Sequence, residues 1–143
     1  MFISDTKAQK RHIAKTGFVY VLVSLFCALF GAVYEHFSHE VYSGYMIYAF
    51  MFPLAGGALP FAALSLYGSI RLPGRLPLNL YNAGIAALTV GSIMEGVLEI
   101  YGTTNNLLQI YWSIGFGLAG ISFLLYAIGL LAGKKIKIQK ENL

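Results

Sequence analysis

The chain has 143 residues, of which 57% are hydrophobic and only 11% charged, and its mean hydropathy is +0.67. Soluble domains are about one-quarter charged and disorder needs low hydrophobicity with high charge, so an ordinary soluble enzyme and a disordered chain are both excluded. One cysteine leaves no room for a disulfide framework, a CxxC redox motif or a thiolate zinc cluster.

The net charge of +4 matters less than its placement. All ten basic residues fall in three clusters: Lys7, Lys10, Arg11 and Lys15, then Arg71 and Arg75, then Lys134, Lys135, Lys137 and Lys140. Each gap between clusters is long enough for two crossings of about 20 residues. Glu35, Glu40, Glu95 and Glu99 lie near the middles of the gaps and mark the breaks.

The pattern predicts an all-α integral membrane four-helix bundle, a single transmembrane domain over residues 1–143. Its helices are expected at 17–38, 44–69, 78–101 and 106–132, flanked by basic segments 1–16 and 133–143. Positive-inside bias puts both termini and the Arg71–Arg75 loop in the cytoplasm and the two acidic turns outside. The expected location is a plasma (inner) membrane, multi-pass and N-in/C-in. The basic clusters read as topology determinants and anionic-lipid contacts, not as a nucleic-acid interface. No cleavable signal peptide is expected, because the first apolar stretch is too long and lacks a small-residue cleavage site.

The first helix carries small residues at Ser24, Ala28 and Gly31, and Cys27 reads there as a small apolar residue. It ends in Glu35-His36-Phe37-Ser38-His39-Glu40. On a continuing helix Glu35 and His39 share one face, and His36 and Glu40 another. Imidazole with carboxylate suits a divalent metal such as Zn, Fe or Mn. His36, His39 and Glu40, with Glu95 and Glu99, are therefore a candidate metal set; a solvated turn is the alternative. The spacing is ExxxH and ExxxE, not the ExxH of bundle di-metal sites.

The second helix places Pro53, Gly56, Gly57 and Pro60 close together as a candidate hinge. A helix-interior proline removes a backbone hydrogen bond, and in lipid the freed carbonyl needs another partner. Both a broken helix, as at transporter sites, and a plain proline kink fit the sequence.

The third helix brings Ala83, Ala87 and Gly91 to a rough stripe of the kind that lets helices approach closely in lipid. Glu95 and Glu99 follow, with Glu95 about 9 Å short of the helix end at 1.5 Å per residue. Four-residue spacing puts both on one face. Intramembrane acids mark ion or proton pathways by default, so Glu95, Glu99 and Glu35 are the candidate cation- or proton-binding residues. Asn79 and Asn82 read as capping residues, and His12, among the first lysines, reads as inert. The fourth helix offers Gly115, Gly117 and Gly120 for packing. Tyr20, Tyr45, Tyr48, Tyr67, Tyr81, Tyr101 and Tyr111 fall near helix ends, as an interfacial belt does.

One further pattern is a parallel repeat of two hairpins. Gly31-x3-Glu35-x3-His39 matches Gly91-x3-Glu95-x3-Glu99, and the same offset carries Lys15 onto Arg75. No GxSxG, HExxH or P-loop pattern is present, so no catalytic residue is assigned. Three functions fit: handling of a cation, proton or small solute through a Glu/His cluster, a non-catalytic subunit of a larger membrane complex, or a membrane metal-binding protein or metalloenzyme. Four helices are few for a carrier, so the expected partners are the lipid bilayer and either further copies, as a homo-oligomer, or a larger complex.

Overall fold

The computed structural model describes the backbone of residues 2–67 and 71–143, and within them the side chains from Lys7 onward. The described residues contain helices and no strand. Four helices are long and apolar enough to cross a membrane, which marks the chain as a membrane protein. We label them α1 (Phe2–Phe37), α2 (Gly44–Leu66, in several pieces), α3 (Arg75–Ile100) and α4 (Gln109–Glu141).

The helices are longer than the sequence pattern predicts. α1 begins at Phe2, not at residue 17, and α4 runs to Glu141, not to 132. The basic flanks are rich in Lys, a strong helix former, so the helices continue beyond their apolar windows. At 1.5 Å per residue the 36 residues of α1 span about 54 Å, well beyond a hydrocarbon core of about 30 Å. α3 starts at Arg75, which leaves Pro77 in the first turn, where its missing N–H costs nothing. The expected end of the second helix at residue 69 lies outside the described residues.

α1 packs against α2, α2 against α3, and α3 lies along α4, while among the described residues no Cα of α1 comes within 8 Å of α4 or α3. Glycines set these approaches. Gly17 of α1 meets Phe61, and Gly84 of α3 meets the Gly115 carbonyl and the Ala119 N–H of α4. The α3 contact face therefore runs through Gly84, Leu88 and Gly91, all buried, whereas Ala83 of the expected stripe is exposed. Of the three glycines expected to pack on α4 only Gly115 does; nothing lies within 4 Å of where side chains on Gly117 or Gly120 would begin.

The tightest junction is at the start of α2. Met46 is buried between two helices: a Cβ on Gly31 of α1 would sit 3.1 Å from the Met46 carbonyl oxygen. A Cβ on Gly96 of α3 would sit 2.8 Å from its backbone nitrogen and 3.0 Å from its Cα. The Ser92 hydroxyl donates to the Tyr45 carbonyl at 2.7 Å and pins the same turn. Backbone on both sides cannot yield as a side chain would. Gly96→Ala is expected to destabilise the fold by about 1–3 kcal/mol, whereas Gly117→Ala holds or raises stability. Thermal unfolding of the two variants in detergent checks this.

Candidate functional site

The Met46 junction positions an acidic site. With Gly31 and Gly96 pressed onto the first turn of α2, the acids one turn further along, Glu35 and Glu99, flank the residue that precedes the turn. That residue is Ser43, which is fully buried. Its hydroxyl donates to Glu99 Oε2, and its N–H donates to Glu35 Oε1 at 3.4 Å. One serine thus draws together a half-buried carboxylate from α1 and an exposed one from α3. No Lys or Arg lies between residues 15 and 71, or between 75 and 134, to neutralise them along the chain.

The other expected site residues do not join this bridge. Glu95 is half-buried one turn before Glu99, while His36, His39 and Glu40 are exposed. Among the described residues no group of three or more His, Cys, Asp or Glu side chains is placed to hold a metal ion. His39 and Glu40 instead make the turn after α1 in left-handed conformation, with φ of 54° and 70°. Such a conformation costs a non-glycine residue about 1–2 kcal/mol. The Ser38 hydroxyl lies within hydrogen-bond reach of the Glu35 and Val41 carbonyls and braces this turn. The turn after α3 meets the same need with Gly102 at φ 71°, where the Gly102 and Thr103 N–H groups return to the Glu99 and Leu98 carbonyls.

A second polar region lies deeper in α2, where the sequence places Pro53, Gly56, Gly57 and Pro60. The chain widens there into a π-helical turn over Leu54–Ala58. In an α-helix the Gly56 carbonyl would accept from the N–H of residue 60, and Pro60 has none. The Tyr81 hydroxyl of α3 donates to that carbonyl. Gly57 leaves the space that the Tyr20 ring of α1 fills, and the Tyr20 hydroxyl donates to Asn82 Oδ1 at 2.7 Å. Tyr20 and Tyr81 are therefore structural donors and not belt residues alone. Asn82 lies within α3 as an acceptor, not as a cap. Towards the basic end a cleft of about 810 Å³ follows, lined by His12, Thr16, Arg75, Asn79 and Asn82.

Glu35, Glu99 and the proline–glycine segment are candidates in the sequence, whereas Ser43, Gly96, Ser92 and the tyrosine donors stand out only in the structure. The proline positions carried the one usable signal, since a carbonyl four residues before each needs a new donor. No family model, curated protein or solved structure matches the chain.

Tyr81→Phe leaves the Gly56 carbonyl without its hydroxyl donor and is expected to cost about 1–3 kcal/mol. Pro60→Ala restores an N–H one turn on, so the double variant recovers part of that loss. A double-mutant cycle of thermal stabilities checks it, and strictly additive losses reject the pairing.

Proposed function

We propose that the protein binds a cation or proton at its acidic end and passes it across the membrane. The observation that supports this reading is the convergence of Glu35 and Glu99 on the buried Ser43. Acids held at the end of membrane-crossing helices, with no basic partner along the spans, attract a positive charge. The π-helical turn of α2 adds a segment whose backbone is satisfied by side chains, as in the discontinuous helices of transporters.

Positive-inside bias orients the chain with both termini and the Arg71–Arg75 loop in the cytoplasm, so the acidic end faces outward. The cation then enters at Glu35 and Glu99 and leaves by the cleft around Asn79 and Asn82. Since α1 and α4 do not meet among the described residues, a closed path between them is completed by a second copy of the chain. The dispersal of His36, His39, Glu40 and Glu95 gives the metal-binding reading no comparable support.

In proteoliposomes, Glu35→Gln and Glu99→Gln are each expected to lower cation- or proton-driven flux by about tenfold or more. Glu40→Gln, in the exposed turn, leaves flux near its original level. Unimpaired flux in the Glu35→Gln/Glu99→Gln double variant overturns the proposal.

A further inference from the structure

The acidic end also holds a cavity that the Ser43 bridge does not use. Its volume is about 310 Å³, and its walls include Tyr45, Tyr48, Phe52, Trp112, Ser92 and Glu99. That size lies at the small end of ligand sites, which run from about 300 to 1,000 Å³. The ring centroids of Trp112 and Tyr45 are 6.2 Å apart with planes at 58°, and those of Trp112 and Phe52 are 5.6 Å apart at 63°. Rings at such angles form adjoining walls and not a closed stack.

The chemistry of these walls is selective. Among the described residues Glu99 is the one charged side chain lining the cavity. Its Oε2 accepts from Ser43, and that bond leaves the second carboxylate oxygen out of the bridge. The Ser92 hydroxyl is already given to the Tyr45 carbonyl, so it serves to hold Tyr45 in place and not to donate to a ligand.

An anion is repelled by Glu99, and a neutral apolar molecule leaves the carboxylate without a role. A small hydrated ion gains little from four aromatic walls. A cation sheathed in alkyl groups uses both, because aromatic faces are negative and attract an ammonium within about 6 Å. Simple interfacial anchoring accounts for single tyrosines and tryptophans, but it does not account for four aromatic residues and a carboxylate lining one cavity.

We propose that this cavity is a binding site for an organic ammonium ion, quaternary or carrying small alkyl substituents. The inference rests on Glu99 as the cation site of the transport reading, and it names the substrate class.

Trp112 is the only tryptophan in the chain, so its emission reports on the cavity directly. The full-length protein in mild detergent is titrated with choline, and separately with 3,3-dimethylbutan-1-ol, which has the same shape without the charge. Choline is expected to change Trp112 emission saturably, and the neutral analogue is not. Tyr48→Ala and Glu99→Gln each weaken choline binding by about fivefold or more. Tyr48→Phe, which keeps the ring, retains it, and Tyr67→Ala, at the other end of α2, leaves it unchanged.

No saturable response to choline, or an equal response to the neutral analogue, overturns the proposal. Weakening by Tyr67→Ala as strong as by Tyr48→Ala overturns it too, since the effect is then not local. Flux measured on the same preparations separates the two readings. Proton or sodium flux without a choline response removes the ammonium site and leaves transport standing. A choline response without any flux does the reverse.

Discussion

Pro60 removes the N–H that the Gly56 carbonyl would accept in an α-helix, and inside hydrocarbon no water replaces it. A buried carbonyl left so costs about 1–3 kcal/mol, and the Tyr81 hydroxyl meets the need from α3. Much of the arrangement follows from that one bond. It ties α3 to α2 at the π-helical turn that contains the glycine pair, and Gly57 of the same turn leaves the space that the Tyr20 ring enters. Tyr20 then reaches Asn82 and ties α1 to α3 through side chains alone.

The other end of α2 is held by contact, not by a donor. Gly31 and Gly96 bring the backbones of α1 and α3 onto Met46 from opposite sides. Each glycine is followed about one turn later by an acid, so the approach that wedges the helix also delivers Glu35 and Glu99 to Ser43. Packing and polar placement are therefore one event. A shift of α3 along its axis by a single residue would rotate Glu99 away from the serine, since successive residues on a helix point about 100° apart.

The molecule is divided by charge along its length. Every lysine and arginine lies towards one end of the helices, and Glu35, Glu40, Glu95 and Glu99 towards the other. The acidic end gathers carboxylates and aromatic rings, and the basic end gathers amides, His12 and Arg75 around an open cleft. Between them Ala49 and Pro53, both buried, separate the two regions along α2. The π-helical turn begins directly after this apolar section.

The number of spans, their order and the acidic character of one end were legible in the sequence, because the scarcity of charge in a bilayer leaves a pattern that needs no tertiary information. The break in α2 was legible at Pro53 and Pro60 for the same kind of reason, a missing N–H. Helix ends were not, since lysine-rich flanks are themselves good helix formers and the apolar window stops before the helix does. Nor could the sequence choose among Glu35, Glu95 and Glu99, or single out Ser43, Tyr81 and the aromatic walls around Trp112. Those depend on how α1 and α3 rotate about α2, and only the close approaches at Gly31, Gly57 and Gly96 decided that rotation. Local composition determined what each helix is; contacts between residues far apart in the chain determined which of its side chains meet.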